Sequence, residues 1–264
     1  MSMLEPRTLQ ARIEGIGFWA RGLPSWAAAR EYALGGALPA DAPARPSPQL
    51  LPANERRRAP ETVAIALDVA MAACEAAARE PASLPSVFAS THGELAITDY
   101  MCATLAQDPR TLSPTKFHNS VHNAAAGYWT IGTGAMQPAN AISAYAASFA
   151  QGLIEALTQL RSDADAVLLV AYDGQAAGPL AKMAPSEGLL GGALVLSNDE
   201  AGPRLRARLV PTSTQAPASG PLARFASANA MAPMLPLFDV LAHGEGSALL
   251  PAGAAHDLLV EVNP

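Results

Sequence analysis

The chain has 264 residues and a formal net charge of −6, and it is 50% hydrophobic but only 15% charged. That length can bury one large core, and the acidic balance, with basic residues scattered apart from Arg56–Arg58, argues against nucleic-acid binding. The apolar runs fall far short of the roughly 20 residues a membrane-crossing helix requires. Residues 1–7 hold no basic stretch followed by an apolar one, so a soluble, cytoplasmic protein with no membrane span is expected.

Arg12 to Trp19 alternates apolar with small or polar residues, which predicts a first strand. Its Gly15 and Gly17 open like a dinucleotide fingerprint, but the third glycine is missing and Pro24 interrupts. Close backbone packing explains the pair better. Ser25 is placed to cap a short helix over 26–34 that ends at Gly35-Gly36. Residues 37–53 carry five prolines and read as a surface excursion inside one domain spanning 1–264, because too little core precedes them for a boundary. Arg56–Arg58 reads as a solvated helix entrance or as a contact for an anion or partner. Pro60 then opens a long amphipathic helix from about Glu61 to Arg79, with Val63, Leu67, Ala70, Met71 and Cys74 on its buried face. Ser86–Ser90 predicts a short buried strand, followed by a helix through Met101 and Leu105. After Asp108-Pro109, residues 113–127 lead into another apolar helix.

The stretch 138–157 organises the rest. A short apolar run, Ala141 to Tyr145, feeds through Ala146-Ala-Ser148 into a helix whose Phe149, Leu153, Ile154 and Leu157 share a face. Such a strand–turn–helix elbow can hold a nucleophile where the helix N-terminus stabilises a thiolate or alkoxide. Here alanine stands at the expected apex. Downstream, Ala166–Ala171 is a continuous apolar run, the mark of a strand covered on both faces. Further strands are expected at 191–196, 206–210 and 257–262, a loop over 211–233, and a helix around 236–243. Strands alternating with helices predict an α/β fold with helices packed on a sheet.

Several side-chain groups invite chemical readings. His118 and His122 are four apart, as two ligands on one helical face would be, but the glutamate of an HExxH motif is absent and capping by Asn119 and Asn123 is natural. No metal is expected. His92, His243 and His256 stand isolated. Ala146-Ala-Ser-Phe-Ala150 also reads as a loosened G-x-S-x-G elbow with Ser148 as nucleophile, followed by Asp173 or Asp239 and then His243 or His256. That alternative is a stand-alone serine hydrolase or acyltransferase. Asp163 with Asp165, and Asp199 with Glu200, read as solvated turns. Cys74 and Cys102 lack metal-ligand spacing and read as reduced thiols.

Four segments taken together resemble the beta-ketoacyl synthases. Ile142-Ser-Ala-Tyr-Ala-Ala-Ser-Phe-Ala-Gln151 resembles the run around the active cysteine, with Ala146 where that cysteine would stand. Asn119-Ser-Val-His-Asn-Ala-Ala-Ala-Gly127 is similar to the segment that begins the dimer-interface helix. Asp165–Asp173 looks like the strand after the nucleophile helix, and Glu187–Leu196 like the Glu-Gly-Ala-Gly-Ala-Leu-Val-Leu strand. The second half of a ketosynthase, with its catalytic histidines and lysine, has no counterpart. The chain most resembles the short ketosynthase-like N-terminal-domain family, whose members include chain-length-factor subunits of aryl polyene clusters.

The resemblance implies half of a thiolase-like fold, layered, with helices on both faces of a mixed sheet. It implies a subunit that is not catalytic on its own and that pairs as a heterodimer with a full-length ketosynthase. That partner would elongate polyketide or fatty-acid-like chains held on an acyl carrier protein. No cofactor is expected, because the phosphopantetheine-bound acyl chain is presented by the carrier. A thiolate must carry the acyl chain, and imidazoles must promote decarboxylation; an alanine methyl can do neither. Tyr145 and Phe149 are the candidates for a gate on the acyl tunnel, with ordinary helix-core filling the equal alternative for Phe149, and Asn123, Tyr128 and Trp129 are candidates for the interface. A homodimeric acyl-binding module is the remaining alternative.

Overall fold

The computed structural model describes residues 8–200, 202–212 and 219–264. The expectations for residues 1–7 and for the 213–218 part of the loop lie outside the described residues. Its strands are β1 (Leu9–Ala20), β2 (Ser86–Ala89), β3 (Ala139–Ile142), β4 (Ala166–Asp173), β5 (Leu190–Ser197), β6 (Arg204–Pro211), β7 (Gly246–Pro251) and β8 (His256–Asn263). Its helices are α1 (Trp26–Ala33), α2 (Ala53–Arg56), α3 (Glu61–Ala76), α4 (Leu95–Gln107), α5 (Pro114–Asn119), α6 (Ala124–Thr133), α7 (Ser148–Ser162), α8 (Pro221–Phe225) and α9 (Leu235–His243). The strands form one mixed sheet in the order β3-β2-β4-β5-β1-β6-β8-β7. β3, β2 and β4 are parallel, and the pairings from β4 onward are antiparallel.

Every residue of β4 and β5 is buried, because both faces of the sheet are covered there. Side chains alternate across a strand. Val167, Leu169 and Ala171 therefore pack with Phe149, Leu153 and Leu157 of α7, while Leu168, Val170 and Tyr172 join Ile65 and Val69 of α3 and Trp129 of α6. On the α7 side the core continues through α1, α8 and α9 to β6, β7 and β8.

Gly15 and Gly17 serve close packing, as their spacing in β1 implied. A Cβ at Gly15 would stand 2.1 Å from the Ala73 carbonyl oxygen, and one at Gly17 would stand 2.0 Å from that of Val69. The helix backbone of α3 rests directly on the strand. Ser25 caps α1 through the Ala28 amide. The 37–53 excursion is tied down by buried Leu51 and by the Ser47 amide, which donates to Asp68. Arg56 folds back onto the Leu51 carbonyl, closing its own turn.

Two expectations need correction. The loop expected over 211–233 contains α8, whose first turn is capped by Asp239. β7, which the residues alone assign to no element, pairs with β8 at the far edge of the sheet. Its buried Ala248 and Leu250 alternate with outward residues over only six positions, too short to stand out beside the helix before it.

Candidate functional site

The parallel strands β2 and β3 end beside one another, with Ala89 opposite Ile142. The chain then enters α7 through a tight turn at residues 145–147. Tyr145 has φ +54°; Ala78, at the end of α3, is the other described non-glycine residue with positive φ. The left-handed conformation costs such a residue about 1–2 kcal/mol, so its surroundings must impose it. The apex of the elbow is thus Tyr145, one residue earlier than expected, and Ala146 follows it in the turn. The displacement has a physical source: the apex is set by hydrogen bonds that close around Tyr145. Ser148 Oγ accepts from the Ala144 amide at 2.9 Å and donates to the Tyr145 carbonyl at 2.7 Å. Thr91 Oγ1 donates to the same carbonyl at 3.3 Å.

These contacts also bear on the hydrolase alternative. Ser148 is only 1% exposed and spends its hydroxyl on the elbow backbone. Asp173 accepts from Ser90, Thr91 and His92, and Asp239 caps α8. His243 Nδ1 bonds the Asp239 carbonyl in its own helix, and His256 is exposed at the start of β8. Ser148, Asp173, Asp239 and His243 are thus engaged elsewhere, and His256 stands exposed on a strand. His118 and His122 do not share a helix: α5 ends at Asn119, and His122 Nε2 lies 2.9 Å from the Ser90 carbonyl. Asp199 pairs with Arg79 rather than with Glu200.

Tyr145 and Ala146 line a cavity of about 280 Å³ with Thr91, His92, Ala184 and Asn229. Tyr145 is 62% exposed. Phe149, the other gate candidate, is instead buried in the core, with its ring 6.4 Å from Phe238. It points inward because it falls on the sheet-facing stripe of α7. A larger cavity than that at the elbow, about 650 Å³, lies apart from it and is lined by Trp19, Arg21, Thr62 and Glu94 among others. Burial there pushes the Glu94 carboxyl above its ordinary value, opposed by the Thr62 hydroxyl, which donates to it at 2.7 Å. No histidine or cysteine lines that cavity.

The interface candidates separate similarly. Trp129 is fully buried against Phe88, so it belongs to the core and not to an interface. Tyr128 is half-buried, and its hydroxyl donates to Asn119. Asn123 is exposed at the start of α6. Of the apolar residues that do reach the surface, Val121 and Tyr145 lie in the ketosynthase-like segments and the rest belong to no motif. Eight of the eleven exposed large apolar side chains among the described residues fall between Leu105 and Met183. They include Phe117, Val121, Ile131 (79% exposed) and Met136 (96% exposed), which lead up to β3. β3 itself is an edge strand with mostly exposed residues.

No curated protein sequence matches the chain. Among solved structures, it is similar to a chain of the ketosynthase (ApeO) in complex with its chain length factor (ApeC) from Xenorhabdus doucetiae, with 25% identity and a TM-score of 0.74 over 96% of this chain and 99% of that one. The ishigamide ketosynthase/chain length factor matches at 14% identity and TM-score 0.70, over 97% of this chain and 100% of that one. A chain of the AntDE:AntF complex, a type II PKS acyl-carrier protein with its ketosynthase, matches at 10% identity and TM-score 0.73, over 97% and 99%. The last two show the fold alone, the thiolase-like arrangement of ketosynthases. The family model for the beta-ketoacyl synthase N-terminal domain matches residues 26–253. With most of its length covered by that model, the chain belongs to the beta-ketoacyl synthase N-terminal domain family.

Proposed function

We propose that this chain is a chain-length-factor-like subunit, not catalytic by itself, that pairs with a full-length ketosynthase and shapes the tunnel for the acyl chain being extended. The observation that carries the reading is an elbow kept in its strained form without a thiol: Tyr145 and Ala146 occupy the turn where an acyl-carrying cysteine would be needed. The acyl chain would arrive on a carrier protein's phosphopantetheine arm, so the subunit needs no cofactor of its own. Its likeness to a chain from a ketosynthase and chain length factor complex supports the same assignment, and the resemblance of its motifs implies an aryl polyene or related product. The partner would dock on the β3 edge and the apolar surface of Phe117, Val121, Ile131 and Met136, making a heterodimer.

Of the two gate candidates, Tyr145 is the one that presents its side chain to a cavity. It would act as the stop against which the growing chain ends. The test is reconstitution of the ketosynthase and carrier protein with and without this chain, followed by product analysis. The chain should change product formation or length, and Tyr145→Ala should lengthen the main product by one or more extension units. Identical products in all three mixtures would remove the reading. Size-exclusion chromatography with and without the ketosynthase separates this heterodimer from a homodimeric acyl-binding module.

A further inference from the structure

The walls of the elbow cavity come from three distant parts of the chain, and one buried carboxylate touches the residues that join them. Asp173, at the end of β4, is 0% exposed. Its Oδ1 accepts from Ser90 Oγ at 2.7 Å and from the His92 amide at 3.0 Å, and its Oδ2 accepts from the Thr91 amide at 2.9 Å. Ser90 Oγ in turn accepts from the Gly93 amide, so the whole 90–93 loop is wound around that carboxylate. The loop then grips the elbow at two points. Thr91 Oγ1 donates to the Tyr145 carbonyl, and Ser143 Oγ donates to the Thr91 carbonyl at 3.1 Å. On the opposite wall, Asn229 Nδ2 lies 3.3 Å from the Asp173 carbonyl oxygen and 3.1 Å from that of Glu187.

We infer that Asp173 is a positioning residue, which acts through Thr91 and Ser143 to hold the elbow so that the Tyr145 side chain stands at a fixed depth in the acyl path. The inference rests on the reading of Tyr145 as the stop. A buried carboxylate is unfavourable unless its oxygens are hydrogen-bonded, and here three donors converge on it from one loop. Burial pushes its carboxyl above the ordinary value even against these donors. A carboxylate held at such expense, with no histidine side chain bonded to it to relay a proton, fits a structural hub for the loop. Without the grip of Thr91 and Ser143, Ser148 would be left as the remaining side-chain bond on the apex carbonyl. Tyr145 would then relax toward a negative φ, and its ring would swing away from the cavity.

The experiment is product-length analysis of the reconstituted ketosynthase complex carrying Asp173→Asn, the double variant Thr91→Val/Ser143→Ala, or Thr91→Ser, with Tyr145→Ala as the reference. The carboxamide of Asp173→Asn would offer one oxygen where the three donors use two, so the loop should loosen. Asp173→Asn and the double variant should each broaden the product distribution toward the longer chains made by Tyr145→Ala, shifting the ratio of longer to normal product at least threefold. Thr91→Ser keeps the hydroxyl and should retain the normal ratio. Because a ratio is read, a change in total turnover does not mimic the effect. If Asp173→Asn fails to fold, the double variant, confined to the cavity rim, carries the test. A normal ratio in the double variant, while Tyr145→Ala lengthens the product, overturns the positioning role and leaves the stop intact. No lengthening by Tyr145→Ala overturns both.

Discussion

At the scale of single residues, chemistry here is decided by burial more than by residue type. Cys74 lies fully buried in α3, where desolvation pushes its thiol up to about 12, whereas Cys102 is exposed on α4. The thiolate is the reactive form. Iodoacetamide at pH 8 should therefore place one adduct on the native protein, at Cys102, and a second only after denaturation; intact-mass analysis reads this directly. Glu14 shows the opposite shift. The Arg79 guanidinium, bidentate at 2.7 Å to both carboxylate oxygens, holds the Glu14 carboxyl below its ordinary 4.5, although burial pulls the other way. A depressed carboxyl contributes stability that is complete above the unfolded-state value and is lost as pH falls through the folded-state value. Glu14→Gln should thus destabilise by about 1–2 kcal/mol at pH 7, given that Arg79 is partly exposed. That difference should shrink as pH falls from 4.5 through the lowered folded-state value in urea titrations, and a gap that does not change with pH would exclude the account.

The same scale shows where the sequence could be read and where it could not. That no thiol occupies the elbow was visible in the residues alone. The apex was misplaced by one position, because the φ of Tyr145 is imposed by Thr91, 54 positions away, and by Ser148. The clasp around Asp173 was equally hidden, since its three donors lie more than 80 positions upstream. The resemblance marks Phe149 and Trp129 by their places near the elbow and in the interface segment, which says nothing of the way their side chains face. Their helices turned them inward, to Phe238 and Phe88.

Among the elements, α3 and β1 meet backbone to backbone. The glycines let two backbones touch, which was legible because paired glycines weaken a strand unless another backbone comes close to it. Gly17→Ala would drive a methyl to about 2 Å from a helix carbonyl, a contact that backbone atoms cannot yield to without moving α3. The expected loss is at least about 3 kcal/mol, read as a lowered midpoint in chemical denaturation. An alanine tolerated at position 17 within about 0.5 kcal/mol would show that α3 can slide. β4 and β5 were equally legible, since uninterrupted apolar runs have to be covered on both faces. α6 was harder. It is apolar all round, so nothing in its residues tells which side faces inward; Trp129 and Ile131, two apart, ended on opposite sides.

For the molecule as a whole, the exposed apolar side chains are distributed unevenly. Eight of eleven among the described residues fall along 105–183, the part of the chain that holds β3, while the opposite edge of the sheet is the β8–β7 hairpin. A ketosynthase seated on the β3 end should be released by charge. Ile131→Asp combined with Met136→Asp, both at exposed positions, should leave the fold unchanged by circular dichroism and abolish co-elution with the ketosynthase. A matched Leu209→Asp, on β6 in the far half of the sheet, should have no such effect. Retained co-elution in the first variant would move the docking face elsewhere.

A strand whose amides and carbonyls face water along one side will accept any extended peptide that reaches it. On the proposed pairing, the polypeptide is therefore most vulnerable between leaving the ribosome and meeting a ketosynthase. Cells translating both chains from a single message should yield more soluble protein than cells making this one alone, and an orphaned copy should be found in inclusion bodies or cleared by proteolysis.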